Sequence, residues 1–356
     1  MASSRLYRTS GTPTSTRKFT ISFWVKKSSQ GTDQFLVSSF TDANNRMQVN
    51  FNTDDRVDFI SKVSATNIIR KQPTRQLRDP SAFYHILVAV DTTLATASDR
   101  CKLYINGSQE SVFTFETNPS QNADCNVSGT HSIGAYHDSG SPTLYFDGLM
   151  THIHYTDGYT YQASDFGETD STSGIWKPKT SPSVTYGTNG FFLKMENSSD
   201  MGEDSSGNNN DFTTSGTITQ TEDTPSNNFA TLNPLEVPEV AEKPTLTNGN
   251  TTGQSTTGGH VSGTSTFGVD TGKWYAEFKV TAGNQSNALI GVITDPISAL
   301  GSTPTHDSTK FYGARGNGTK YTAGTGSNSW TATWTTDDII SLALDCDNNR
   351  LYVAKN

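Results

Sequence analysis

The strongest constraint in this sequence is an alternation of apolar and polar side chains with a period of two residues. Segment 19–26 reads FTISFWVK, so its odd-numbered residues, from Phe19 to Val25, share one face of an extended chain. This pattern predicts a half-buried β-strand, and no segment before residue 230 shows a convincing period of 3.6 residues. Trp24 lies on the opposite face, where we expect it to meet a second subunit or to cover the sheet edge.

Further segments of the same kind follow along the chain. We predict strands over residues 34–40, 47–51, 56–60, 83–91, 100–106, 131–136, 144–155 and 190–196. Asn106-Gly107 predicts a tight hairpin turn at the end of one of them. The composition agrees, because 94 of the 356 residues are serine or threonine, 30 are glycine and only 17% are charged. We therefore expect an all-β protein built from two-sheet sandwiches.

Charge and hydropathy exclude several classes of partner. The 26 basic and 35 acidic residues give a net charge of −9 without a lysine and arginine cluster, so we expect no nucleic-acid partner. No run of about 18 apolar residues occurs, so we expect no membrane insertion, and the first residues lack the apolar core of a secretory signal. Cys101, Cys125 and Cys346 show no CxxC spacing, which disfavours a disulfide scaffold and a zinc site.

Five segments occur in an order that is typical of one kind of β-sandwich. They are FTISFWVK (19–26), FYHILVAVDTT (83–93), KLYING (102–107), IGAY (133–136) and YFDGLMTHIHYTDG (145–158). In this order they resemble the concanavalin A-like, laminin-G-like jelly roll, whose hallmarks are a strand ending in YING and a later FDG. The resemblance implies that residues 1–226 form one jelly-roll domain.

The same part of the chain also resembles virion proteins of aquatic tailed phages, of the tail-fibre or capsid-fibre kind. The matching stretches are SDFGETD (164–170), IWKPK (175–179), YGTNGFFL (186–193) and DSSGNNND (204–211). Phe83 stands where the family usually has tryptophan, and His152 stands where it usually has an acid. The resemblance implies a structural protein of the virion that is assembled in the cytoplasm of a bacterial host.

A second module follows, which we place at residues 227–356. FATLNPL (229–235) resembles the opening of a second module in the same phage proteins. Three later segments resemble strands of a SPRY domain, namely GKWYAEF (272–278), ALIGVIT (288–294) and the hairpin segment 338–353. Because the resemblance stops inside the hairpin motif, we expect this SPRY-like sandwich to be truncated or to be completed by another segment or subunit.

Jelly rolls of this type include glycosidases, so pairs of carboxylates are the first candidates for chemistry. Retaining hydrolysis needs two carboxylates about 5 Å apart. Glu168 and Asp170 match half of the Glu-x-Asp-x-x-Glu pattern of such enzymes, but no second glutamate follows. No GxSxG, HExxH or phosphate-binding loop motif occurs either, so we expect a protein that is not an enzyme.

The segment 204–211 is a candidate calcium site. It concentrates oxygen-bearing side chains around a glycine, as hard cations require. The predicted ligands are Asp204, Ser206, Asn208, Asn210 and Asp211. The alternative is a plain turn in which these side chains satisfy their own backbone, and no cofactor is required in either case.

His152 and His154 form a second candidate metal site. They lie two residues apart on a predicted strand and therefore share a face, where Asp157 could complete a transition-metal site. The favoured alternative is that they are exposed polar residues on the solvent face of the strand.

Two loops have the composition of a saccharide-binding surface, which combines aromatic rings with amide, carboxylate and backbone groups. The first contributes Tyr136, His137 and Asp138. The second contributes Asp157, Tyr159 and Tyr161. Loops carry function more often than strands do, which makes these residues candidates for contact with a ligand. The alternative is that tyrosine and asparagine are simply common in β proteins of this kind.

Together these features predict a non-enzymatic virion fibre protein with a lectin-like domain for attachment to host-surface polysaccharide. Repeated copies on a particle would turn weak contacts into avidity, and we expect a homotrimer that also binds other virion proteins. Two alternatives remain open. The sandwiches could bind only other virion proteins, as a decoration or tail-assembly protein, or the protein could be a glycan-degrading hydrolase.

Overall fold

A computed structural model describes residues 3–125, 128–137, 141–235, 243–255, 261–282, 285–295, 308–327 and 332–356. The chain divides into two compact units, residues 1–229 and 230–356. In the described residues, helical structure is limited to α1 (Ala163–Phe166) and the 3-10 turns Ala97–Asp99 and Gln285–Asn287. No helix of the described part is long and apolar enough to cross a membrane.

The first unit is built from antiparallel strands. Those described are β1 (Arg5–Thr9), β2 (Lys18–Lys27), β3 (Gln34–Asp42), β4 (Asn45–Phe51), β5 (Val57–Val63), β6 (Thr66–Pro73), β7 (Tyr84–Asp91), β8 (Cys101–Ile105), β9 (Ser108–Gln109), β10 (Phe113–Thr117), β11 (Thr130–Ile133), β12 (Gly148–Asp157), β13 (Gly167–Thr169), β14 (Trp176–Pro178), β15 (Phe191–Leu193) and β16 (Thr213–Ser215). The predicted hairpin is confirmed, since Asn106 and Gly107 join β8 to β9 with φ of 49° and 80°.

These strands form two large sheets. In the described residues the larger sheet has eight strands in the order β10-β6-β5-β4-β3-β11-β1-β16, and the smaller has six in the order β15-β12-β2-β7-β8-β9. Strands β13 and β14 form a separate hairpin.

The main core lies between the two large sheets. The apolar face of β2 is fully buried, and Phe19 packs edge-on against Phe59 of the larger sheet with 6.4 Å between ring centroids. Burying one such ring contributes about 1.5–3 kcal/mol. The two-sheet sandwich predicted for this part of the chain is therefore confirmed.

A second apolar cluster covers the other face of the smaller sheet. Trp24 and Leu87 are fully buried there beneath Phe166 of α1 and Trp176 of β14. The expectation that Trp24 meets a second subunit or covers the sheet edge is wrong, because the chain's own segment between β12 and β15 lies over this face.

The second unit consists of short antiparallel sheets. Its described strands are β17 (Thr245–Thr247), β18 (Thr252–Gln254), β19 (Lys273–Lys279), β20 (Leu289–Ile293), β21 (Phe311–Arg315), β22 (Lys320–Thr322), β23 (Thr325–Ser327), β24 (Ile339–Asp345) and β25 (Arg350–Lys355). They form the sheets β17-β18, β19-β24-β25 and β20-β21-β22-β23. A small cluster that includes Val280, Ala314, Trp334 and Ile340 joins the latter two. The predicted strands near 272–278 and 288–294 and the hairpin in 338–353 are all present.

Candidate functional site

The outer face of the larger sheet, which is turned away from the main core, carries polar side chains across its central strands. Directly paired residues of antiparallel strands share a face. Val49 pairs with Phe59 on the core side, so the neighbouring pair of Asn50 and Asp58 lies on the outer side. Arg70 pairs with Ile60 and therefore joins this outer face.

Asp58 and Arg70 form a polar contact of three hydrogen bonds on this face. The Arg70 guanidinium donates from Nη2 to Asp58 Oδ2 at 2.7 Å and from Nε to both carboxylate oxygens at 3.2 Å. Gln72 Nε2 donates to the same Oδ2 at 3.0 Å. Asp58 and Gln72 are buried. Gln72 anchors the carboxylate of Asp58, and this carboxylate orients the guanidinium.

An aromatic ring completes this group. Phe115 of β10 pairs with Gln72 and packs on Arg70, whose Cζ lies 3.9 Å from the ring centroid. The Phe115 side chain is 47% exposed. We call Phe115, Arg70, Asp58 and Gln72 the Arg70 array. On the same face, Asn50 Oδ1 is buried with no hydrogen-bond partner in the described part of the chain.

The first predicted loop lies over the same outer face. Tyr136 packs against Phe35 with 4.6 Å between ring centroids, and His137 packs edge-on against Phe40 at 5.6 Å. His137 Nδ1 also lies 2.9 Å from Arg5 Nη1. Burial lowers the pKa of Arg5 below its usual value. Asp138, the third residue predicted in this loop, lies outside the described residues.

The second predicted loop lies on the smaller sheet instead. Asp157 is fully buried, and its Oδ2 accepts hydrogen bonds from the backbone N–H groups of Thr14 at 2.8 Å and Asn189 at 3.0 Å. The Tyr161 hydroxyl accepts the N–H of Thr185 at 2.8 Å, whereas the Tyr159 side chain is partly exposed. The structure therefore does not bring the residues of the two loops together, and their ligand roles remain predictions.

The segment 204–211 is a hydrogen-bonded turn centred on Asp204. Its Oδ1 accepts the N–H groups of Phe192 at 2.8 Å and Ser206 at 2.9 Å. Its Oδ2 accepts the Ser206 hydroxyl at 2.8 Å and the Asn210 N–H at 2.9 Å. Both carboxylate oxygens are thus already occupied by donors.

The side chains of other predicted calcium ligands also form hydrogen bonds with backbone groups. Asp211 Oδ1 accepts the N–H of Asp204 at 2.8 Å, and the amides of Asn208 and Asn210 both donate to the carbonyl of Gly190, at 2.9 Å and 2.8 Å. The plain-turn alternative describes this arrangement, because the oxygens that would bind a cation are aimed at N–H donors. The hydrogen bonds thus favour the plain turn over the calcium site, which stays an untested prediction.

The histidine pair is not on a solvent face. His154 is fully buried, stacks on Phe192 at 3.9 Å between ring centroids and has Nδ1 3.0 Å from the Tyr186 hydroxyl. His152 lies at a bulge of β12 with a φ of 48°. Burial lowers the pKa of His152 to about 4 and that of His154 well below its usual value. The interpretation as exposed residues is wrong, and the described residues contain no cluster of three His, Cys, Asp or Glu that could hold a metal.

The carboxylates considered for hydrolysis lie on the β13-β14 hairpin beside a lysine. Lys177 Nζ is 2.8 Å from Asp170 Oδ2 and 3.9 Å from Glu168 Oε1. Its hydrogen bond, with those of the Ser173 and Thr172 N–H groups, lowers the pKa of Asp170, which stays ionised. A hydrolase needs one carboxyl group that holds its proton, and Asp170 does not provide it.

The Arg70 array escaped prediction from the sequence because two of its strands were not predicted. Segment 66–73 reads TNIIRKQP and segment 113–117 reads FTFET, and neither was assigned as a strand. A usable signal was present in NRMQVNF (45–51), where Gln48 and Asn50 occupy the face opposite Met47 and Val49.

Two family models match the chain. Residues 3–163 match the model described as concanavalin A-like lectin/glucanases superfamily, and residues 273–356 match the SPRY domain model. None of the curated proteins is significantly similar to this chain.

Solved structures with a similar fold have low sequence identity. A heptameric SAP-like pentraxin from Limulus polyphemus is 16% identical with a TM-score of 0.33, over 43% of this chain and 70% of that one. A protein from Bacteroides ovatus described as carbohydrate-binding is 12% identical with a TM-score of 0.41, over 62% of this chain and 60% of that one. A sialidase from Trypanosoma rangeli is 12% identical with a TM-score of 0.31, over 42% of this chain and 22% of that one. The sheets described above and the two family matches together establish the fold: a concanavalin A-like sandwich followed by a SPRY-like one.

Proposed function

We propose that this protein is a non-enzymatic structural component of a phage virion, a tail or capsid fibre, whose first unit adheres to host-surface glycans. The Arg70 array carries the glycan part of this proposal. The motifs at 164–170, 175–179 and 186–193 support the virion part, through their resemblance to phage proteins.

The array has the physical properties that saccharide recognition needs. The exposed ring of Phe115 offers a flat apolar surface to the C–H face of a sugar. Arg70 presents a planar set of N–H donors, and in the described residues no hydrogen bond engages its Nη1. Because Asp58 and Gln72 hold the guanidinium in place, little conformational entropy is lost when a ligand binds.

A single contact of this kind would bind a sugar weakly, and the presence of many copies on a virion would compensate for the low affinity. A virion presents many copies of a fibre protein, so that millimolar affinities combine into firm attachment. A homotrimer bound to other virion proteins is the assembly that we propose, and host-surface polysaccharide is the proposed ligand.

The test is binding of the labelled full chain to intact candidate host cells, with the purified surface polysaccharide of those cells as competitor. We expect saturable binding that the polysaccharide competes. Phe115→Ala should weaken it about tenfold, since about 1.4 kcal/mol of stacking is lost. Tyr352→Ala removes a ring of the second unit that is 54% exposed, and serves as the control that leaves binding unchanged.

Other results would favour the alternatives. Absence of cell binding, with firm binding to particles that lack this protein, would assign it a purely architectural role. Release of reducing ends from the polysaccharide would assign it hydrolase activity. Cell binding that Phe115→Ala and Arg70→Ala leave intact would place the ligand elsewhere on the chain.

A further inference from the structure

Lys26 is a buried lysine on a central strand of the smaller sheet. Strand β2 lies between β12 and β7, and Lys26 follows Trp24 on the outer face of the sheet. Its side chain is 3% exposed, and its Nζ lies 5.8 Å from the centroid of the Phe83 ring. A buried lysine needs partners for its amine, and here they come from a segment about two hundred residues away.

The partners of Lys26 are a carboxylate and a carboxamide. Lys26 Nζ is 2.7 Å from Asp223 Oδ2, 2.8 Å from Asn228 Oδ1 and 2.7 Å from the carbonyl oxygen of Phe229. The side chain of Asp223 is only 9% exposed. The amine and the acid are thus largely shielded from water, and the amide that meets them is half-buried.

The segment around Asn228 is arranged so that the amide carbonyl faces the lysine. Asn228 Nδ2 donates to the carbonyl of Ser81 at 2.5 Å, which directs Oδ1 toward Lys26 Nζ. Asp223 Oδ1 accepts the N–H of Phe229 at 3.0 Å, so the acid is anchored as well. Backbone hydrogen bonds between Thr224 and Asn227 close the loop between the two side chains.

We propose that Lys26 and Asn228 react to form an intramolecular amide cross-link, with Asp223 as the proton-transfer group. The ammonium of Lys26 gives one proton to Asp223, and the neutral Nζ attacks Cγ of Asn228. The new Nζ–Cγ bond forms while the Cγ–Nδ2 bond breaks. Asp223 returns its proton to the leaving nitrogen, and a further proton from Nζ makes the product an ammonium ion. Charge and atoms balance without an oxidant or a cofactor.

The neighbouring buried lysine, Lys27, lacks the amide that this cross-link needs. Its Nζ is 2.6 Å from Asp55 Oδ1 and 3.3 Å from the carbonyl of Leu77. In the part of the chain that the structure describes, this site has the acid but no hydrogen bond from the amine to a side-chain amide. We therefore assign the cross-link to Lys26 because its amine contacts a carboxamide. Burial and an ion pair alone would not distinguish it from Lys27.

The test is the intact mass of the purified full chain, followed by proteolysis and tandem mass spectrometry. We expect the protein to be lighter than its sequence mass by one ammonia molecule. We also expect a branched peptide that joins Lys26 of β2 to Asn228. Lys26→Arg and Asn228→Ala should restore the full mass, and Asp223→Ala should slow or abolish the loss.

Controls separate this reaction from other losses of ammonia. Lys18→Arg changes a lysine on the same strand that pairs with Asp91 at 3.0 Å, and it should keep the mass deficit. Asparagine can also lose ammonia by succinimide formation, for example at Asn106-Gly107, but that loss would persist in Lys26→Arg. Asn228→Asp should release water instead of ammonia. Wild-type protein of full sequence mass after prolonged incubation, without a branched peptide, would overturn the proposal even if the variants fail to fold.

Discussion

At the scale of single residues, His85 shows how a buried hydrogen-bond network selects one protonation state. Trp176 Nε1 donates to His85 Nδ1 at 3.0 Å, and His85 Nε2 lies 2.8 Å from the Ser22 hydroxyl. An indole N–H only donates, so Nδ1 must be an acceptor and the ring must be neutral. Trp24 stacks on the same ring at 3.8 Å between centroids. Protonation would put a second N–H against the indole donor, inside an apolar cluster.

This network makes a prediction about stability in acid. Burial lowers the pKa of His85 to about 3, whereas an unfolded histidine titrates near pH 6.5. Between these values the unfolded chain binds the extra proton, so stability is complete above about pH 6.5 and falls as the pH drops toward 3. At about pH 4.5 the titration of His85 alone should lower the free energy of unfolding by about 2–3 kcal/mol.

Urea unfolding of the wild type and of His85→Phe at neutral and acidic pH measures this loss. The variant lacks the titrating ring, so its unfolding free energy should fall less on acidification, although it loses two hydrogen bonds at both pH values. An equal fall in both proteins would show that His85 does not carry the acid sensitivity.

At the scale of structural elements, the turn 204–211 joins β15 to the end of the larger sheet. Asp204 binds its own turn and the backbone of Phe192, and Arg8 of β1 donates to the Asn210 side chain. The turn therefore links β1, β15 and the segment before β16. Its composition resembles a cation site, but its hydrogen bonds make it a structural clasp.

We expect this clasp to be independent of calcium. Asp204→Ala removes four accepted hydrogen bonds, two of them from buried N–H donors, and should lower the free energy of unfolding by about 2–4 kcal/mol. The melting temperature of the wild type should be the same with added calcium and with a chelator. A rise with calcium that Asp204→Ala abolishes would instead establish the predicted ion site.

At the scale of the whole molecule, each unit has its own apolar core. The first unit holds the large cluster between its sheets and the Trp24 cluster on the outer face of the smaller sheet. Among the described residues, the cluster of the second unit is much smaller. A small core gains less free energy from apolar burial to offset the conformational entropy lost on folding. The two units should therefore differ in stability.

We therefore expect two transitions in a calorimetric scan of the full chain, with the second unit unfolding at the lower temperature. Phe23→Ala should lower the upper transition, because removing a fully buried phenylalanine costs about 3–5 kcal/mol. Ile340→Ala should lower only the other transition. A single transition that both substitutions shift together would contradict independent cores.

Much of the architecture follows from local patterns. The alternation in FTISFWVK predicts β2 and its core face, and Asn106-Gly107 predicts the β8-β9 hairpin. Strand β6 escaped prediction because Arg70, Lys71 and Gln72 interrupt any apolar alternation, and β10 escaped it because its alternation spans only five residues. Those strands form because the neighbouring strands supply partners for their backbone hydrogen bonds and an apolar surface for their uncharged side chains.

Local sequence patterns and resemblances were enough to predict the fold class, the order of the two modules and the positions of about half of the described strands. The physical reason is that side-chain alternation and turn preferences act over only a few residues. Only the tertiary structure shows that the outer face of the smaller sheet is buried, so that Trp24 of β2 and His154 of β12 are core residues. It also decided that Lys26 meets Asn228 and that Arg70 meets Phe115. Such contacts depend on how segments that are distant in sequence pack together, and no local sequence pattern predicts that packing.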